Sequence, residues 1–133
     1  KEINAVGGID GRKVEAVYED DRTDPKAAVS AFTKLTSIDH VDVVGGGLWD
    51  FIAQSMLPLA LETETAFISP SQFRIPGSFE LNNQSFVMLP DFEKVIRKLK
   101  PFLAREDVKK IAVVHFASSF GKEIGRTVDA ITY

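Results

Sequence analysis

Polar and apolar residues alternate at the start of Lys13-Val14-Glu15-Ala16-Val17-Tyr18-Glu19, a period of two that predicts a strand running into an acidic loop. The period then changes. Ala28, Val29, Phe32 and Leu35 recur at spacings of three and four behind Thr23-Asp24-Pro25, where an N-cap candidate precedes proline at the first helical position, so a helix is predicted over 25–37. Val41-Asp42-Val43-Val44 meeting Gly45-Gly46-Gly47 reads as a buried parallel strand that ends at a tight turn. Phe51, Ile52, Met56, Leu57, Leu59 and Ala60 predict a second helix over 50–62, with Asp50 as its cap and Pro58 as an internal kink. A short strand is expected over 65–69, a loop over 70–73, irregular chain over 74–84, and an extended piece over 86–89 that Pro90 stops. After Pro90 the pattern restarts. Asp91 caps a predicted helix whose stripe of Val95, Ile96, Leu99, Phe102 and Leu103 runs to about residue 104, bent late by Pro101. A strand over 110–115 and a helix over 121–131 complete the reading.

Strands alternating with helices at this spacing mean βαβ units, hence an α/β fold with a parallel sheet and helices on its faces. A length of 133 residues suits one core or parts of two lobes. With 44% hydrophobic and 26% charged residues, the chain has the balance of an ordinary soluble globular protein. The net charge is −3, and the densest basic stretch, 97–110, is interleaved with acids and apolar residues, so nucleic acid is not an expected partner. No cysteine is present, which excludes a disulfide framework, a thiolate metal site and a thiol nucleophile. No apolar run approaches the roughly 20 residues that span a bilayer, and Lys1-Glu2-Ile3-Asn4 does not resemble a signal peptide, so any export signal is expected upstream.

The remaining chemistry is sparse. Gly45-Gly46-Gly47 lacks the spacing of either nucleotide-binding glycine motif. His40 and His115, the two histidines, have no serine, cysteine or ligand partner at a recognisable interval, and His115 reads as structural. Glu19-Asp20-Asp21 stands without a second acidic cluster and reads as a loop leading to a helix N-terminus. No catalytic group, metal site or cofactor is expected, and the reading is against an enzyme. What is left is two loops after strands, at Gly46 to Phe51 and at Ser69 to Phe73, where a parallel sheet presents backbone N–H groups to a ligand.

The order of motifs resembles the type I periplasmic solute-binding proteins, in particular the branched-chain amino acid (Leu/Ile/Val) substrate-binding family of ABC transporters. The residues that carry the resemblance are Glu2-Ile3-Asn4-Ala5 running into Gly7-Gly8-Ile9-Asp10-Gly11-Arg12-Lys13-Val14, then Glu19-Asp20-Asp21 with Asp24-Pro25. Val44-Gly45-Gly46, Ile68-Ser69-Pro70-Ser71 and Ala112-Val113-Val114-His115 with Phe120-Gly121 follow in order. The resemblance implies two lobes of parallel sheet with helices on both faces, present as a fragment: 1–89 as part of the first lobe and 90–133 as the start of the second. Such a piece is expected to expose apolar sheet edge and to be poorly soluble.

By the same resemblance, the first lobe's ligand contacts fall at Leu48, Trp49 and Asp50 and at Ser71 and Phe73, and Phe120 closes over the ligand from the second lobe. Where the family's turn carries small hydroxyl residues, Trp49 and Asp50 stand here, and an aspartate favours an ammonium or hydroxyl over a carboxylate. Phe73 keeps the backbone N–H of its family counterpart and loses the hydroxyl. Each position also has a plain structural reading: Asp50 as a helix cap, Trp49 packed on its turn, Phe73 and Phe120 in a core, Ser118 and Ser119 as turn residues. The implied function is capture of a small molecule, an amino acid or a related aromatic acid or amide, by hinged closure. The partner is then an ABC permease in the membrane, and the location is periplasmic or extracellular, with or without a lipid anchor. The alternative of the same fold is a ligand-sensing domain of a receptor or regulator.

Overall fold

The computed structural model describes residues 2–71, 84–90 and 92–132, apart from the side chain of Ser119. A short helix α1 (Glu2–Ala5) leads by a glycine-rich turn into residues 13–20, which carry neither helix nor strand. The strand expected at 13–19 is therefore absent. A strand needs a partner for its backbone groups, and here the backbone of Val14 turns to a side chain instead: Asn4 Nδ2 donates to the Val14 carbonyl at 2.7 Å, and Val14 N–H donates to Asn4 Oδ1 at 2.8 Å.

Helix α2 (Pro25–Ser37) has the predicted bounds. Asp24 is its N-cap and accepts the Ala27 N–H at 2.9 Å, and Pro25 opens the helix where its missing N–H costs nothing. Lys34 near its end holds Glu19 at 2.6 Å and Asp39 at 2.9 Å, tying the segments before and after the helix to it. The hydrogen bonds to Glu19 and then Asp39 raise the Lys34 ammonium above its ordinary range.

Strands β1 (Val43–Gly45), β2 (Ala66–Ser69) and β3 (Ser85–Val87) form one parallel sheet in the order β1-β2-β3, with α3 (Asp50–Glu62) crossing between the first two. Val44, Phe67 and Ser85 align across the strands on the buried face. Helices α2 and α3 pack against each other and cover that face. Phe32 of α2 meets Phe67 edge-on, with ring centroids 5.9 Å apart, and both are fully buried among Ile52, Ala53, Met56, Leu57 and Ala60 of α3. Burial of each large side chain here contributes about 1.5–3 kcal/mol. Val43, Ile68 and Phe86 point the other way and remain open to solvent.

The helix expected from 91 to about 104 is two helices, α4 (Phe92–Arg97) and α5 (Leu99–Arg105). Pro101 has no N–H to give the Arg97 carbonyl and its ring crowds that carbonyl, so the break falls one turn before the proline. The strand expected at 110–115 is also absent: no described strand lies beside it, and Val114 is 98% exposed. Helix α6 (Ser119–Thr132) begins two residues before the predicted start, because Ser118 is available as a cap and accepts the Gly121 N–H at 3.1 Å. It packs on α4, burying Ile96 and Ile131. No helix among the described residues is long and apolar enough to cross a membrane.

Candidate functional site

The strands end at one rim of the sheet, and the loops there are held by a short chain of hydrogen bonds. Ser69 Oγ, fully buried, donates to the Gly47 carbonyl at 3.0 Å and accepts the Ser71 N–H at 3.0 Å, so the loops after β1 and β2 are locked together. Gly47 lies in the left-handed region at φ +69°, and a Cβ there would sit 2.8 Å from Met56 Cε and 2.9 Å from Ala53 Cα. Glycine thus lets the turn lie flat on the first turns of α3. Trp49, immediately after the turn, is the N-cap residue of α3 and makes no side-chain capping bond.

Asp50 does not cap α3, contrary to one of its two readings. It is the first residue of that helix, and its Oδ2 accepts the Phe120 N–H of α6 at 3.0 Å. An aspartate at the start of α3 and beside the start of α6 lies near two helix N-termini, both of which favour negative charge. Asp50 is buried and joins chain segments 70 residues apart.

Above this contact lies a cavity of about 380 Å³ lined by Leu48, Trp49, Asp50, Phe51, Ser71, Leu89, Phe92, Phe116, Ser118 and Phe120. Its walls are largely aromatic: Trp49 meets Phe116 edge-on at 6.0 Å, and Phe92 meets Phe120 edge-on at 5.2 Å. The volume falls within the range that takes a small organic molecule. Five of the six residues selected from the sequence, Leu48, Trp49, Asp50, Ser71 and Phe120, surround this one space, and Phe73 lies outside the described residues. Sequence reasoning did not select Phe51, Phe92 or Phe116. Phe51 and Phe92 sit in first helical turns, where an aromatic reads as core, and Phe116 directly follows the segment 110–115 expected as a strand. The common signal that could have found all three is position: each directly follows the end of a predicted strand or opens the helix after it.

Chemically the space is an apolar box with few polar groups. Ser118 Oγ already accepts a helix N–H, and Asp50 is the only ionisable side chain among the described lining residues. His115 is not among the lining residues; it is exposed, with Nδ1 2.7 Å from the Phe116 carbonyl, and its ring takes the space that a Cβ on Gly121 would need. Among the described residues no three His, Cys, Asp or Glu side chains gather to hold a metal ion.

Known proteins resemble both the sequence and the fold. The Leucine-specific-binding protein of Salmonella typhimurium is 29% identical over 133 residues, covering 96% of this chain and 35% of the relative. An amino acid binding protein of Pseudomonas aeruginosa is 28% identical over 135 residues, covering 92% of this chain and 33% of its own length. The chain thus spans about a third of the length of the curated relatives it matches. Among solved structures, the branched-chain amino acid transporter substrate-binding protein of Streptococcus pneumoniae, in complex with isoleucine, superposes with a TM-score of 0.82 at 26% identity, over 97% of this chain and 37% of that one. An extracellular ligand-binding receptor of Rhodopseudomonas palustris shares the fold with a TM-score of 0.85 at 21% identity, over 95% of this chain and 36% of the other. The sequence model of the periplasmic binding protein family matches residues 1–132, and the chain belongs to that family.

Proposed function

We propose that this chain is part of the extracytoplasmic solute-binding component of an ABC importer, with residues 1–89 in the first lobe and residues 90–133 opening the second. The solute, an amino acid or a related small molecule, occupies the aromatic cavity. Leu48, Trp49, Asp50 and Ser71 contact it from the first lobe, and Phe120 covers it from the second. The observation that carries this reading is the cavity itself, whose walls come from both sides of Pro90 and whose first-lobe side stands at the carboxyl ends of β1 and β2. Hinged closure about the crossings near Leu89-Pro90 excludes water, strengthens the polar contacts and presents a closed surface to a membrane permease. No step of chemistry is assigned to the site, and the protein is read as a binder rather than an enzyme. The relatives named for leucine and for amino acids support an amino acid or close analogue as the solute class.

The test is a thermal-shift screen of the full-length protein against amino acids, their amides and amines, and aromatic acids. A ligand at about 100 times its dissociation constant adds roughly 2.7 kcal/mol to the folded state. Stabilisation by one class, lost in Phe120→Ala, is the expected result. No stabilisation by any class, or stabilisation that Phe120→Ala leaves intact, would overturn the assignment.

A further inference from the structure

We propose that Asp50 is a positioning residue that latches the two sides of the cavity: its carboxylate takes the Phe120 N–H, holds that ring over the solute and sets how long the solute stays. This rests on the reading of the cavity as a solute site between two lobes. The latch is a direct bond, Asp50 Oδ2 accepting the Phe120 N–H at 3.0 Å from a position 70 residues earlier, on the other side of Pro90.

Both partners are fixed in place. Asp50 opens α3, whose Ile52, Ala53 and Met56 lie in the main core, so the acceptor stands on a rigid base and is itself only 6% exposed. On the other side, the first N–H groups of a helix have no partner within it. At the start of α6 the Gly121 N–H is taken locally by Ser118 Oγ at 3.1 Å, and the Phe120 N–H is taken by Asp50 from across the cavity. The first turn of α6 thus gains a partner from the opposite lobe. Phe120 is held at its other end too, since its ring meets Phe92 edge-on at 5.2 Å. Trp49, next to Asp50, meets Phe116 edge-on at 6.0 Å, so a second contact joins the same two sides.

The energetics suit a switch rather than a permanent tie. With the lobes apart, water satisfies both the carboxylate and the N–H, and neither group is left unpaired. With the lobes together, the rings around the bond exclude water, and a hydrogen bond to a charged acceptor strengthens as the local dielectric falls. The latch closes after the solute has entered, so it acts on release more than on capture.

Leucine is the probe, replaced by the strongest stabiliser of the thermal screen if leucine does not bind. In the full-length protein, stopped-flow tryptophan emission times capture and release, and hydrogen exchange reads the Phe120 amide. Asp50→Ala should speed release at least about tenfold, while capture changes by less than about threefold. The Phe120 amide of the unaltered protein should exchange more slowly with the probe bound, and Asp50→Ala should remove that protection. Asp50→Asn keeps an oxygen for the N–H without the charge, and it should recover part of both losses. Faster release with the amide still protected would mean that Asp50 only touches the solute, and would overturn the latch; so would unchanged release, or no recovery in Asp50→Asn. Where Asp50→Ala does not fold, equal exchange of the Phe120 amide with and without the probe in the unaltered protein overturns the latch by itself. Each of these results leaves the solute-binding assignment standing, whereas failure of every compound in the screen would overturn the solute site and the latch together.

Discussion

The part of the chain around the sheet and the part after Pro90 are built from similar sequence patterns and reach different degrees of burial. All members of the main core cluster lie between Ala28 and Phe67, in α2, β1, α3 and β2. Past Pro90 the buried apolar residues are Ile96 and Ile131, while Val113, Val114 and Phe116 are open to solvent. The segment at 110–115 holds three valines and isoleucines, as does that at 41–44, yet only the latter pairs into a strand. The lesson is that β-propensity is realised through a neighbour: β1 has β2 alongside it, and 110–115 has no described strand beside it.

The comparison can be broken most sharply by truncating one side chain in each region of the 133-residue chain. Phe67→Ala should cost about 3–5 kcal/mol in denaturant unfolding, since Phe67 is fully buried against Phe32, whereas Val114→Ala should change stability by less than about 0.5 kcal/mol. Equal costs would mean that the second region is as well packed as the first. Next in size is Gly47→Ala, which adds a left-handed alanine and a clash with Met56 and Ala53; about 2–4 kcal/mol is expected, together with displaced Trp49.

Asp24→Ala removes the cap of α2 and should cost about 1 kcal/mol, seen as a lowered denaturation midpoint with an unchanged slope. Ser85 buries a hydroxyl on β3 that finds no partner among the described residues, so Ser85→Ala should be neutral or stabilising by up to about 1 kcal/mol. A loss on that substitution would show that the hydroxyl is satisfied by water. The smallest effect concerns Lys34. Its ammonium is raised in the folded protein, so its contribution is fully present below its unfolded value and is lost as pH climbs through the higher folded value; Lys34→Met should remove that alkaline fall in stability.

Helices α2 and α3 were legible in place and length because their signals are local, Asp24-Pro25 at one start and apolar spacing of three and four in both, while the cap of α3 is Trp49 rather than Asp50. The strands at 13–19 and 110–115 were overread because pairing depends on distant chain. Asn4 takes the backbone of Val14, something no period of two could announce. The break at Lys98 was half legible, since Pro101 announced a bend but the lost bond belongs to Arg97, four residues earlier. At the cavity, the rule that parallel strands offer their carboxyl ends found the two loops after strands, and Leu48, Trp49 and Ser71 within them came from the family resemblance. Phe120 came from the family resemblance. The partner of Asp50, 70 residues away, could come only from the fold.

Trp49 gives the most direct measurement of the central claim, because it stands in the cavity wall beside Phe116 and is the single tryptophan of this sequence. Titrating the full-length protein with a solute found by the thermal screen should change tryptophan emission saturably, with the same midpoint as calorimetry, and the difference from Trp49→Phe should carry that change. Calorimetric binding with no Trp49 response would place the solute elsewhere and contradict the account.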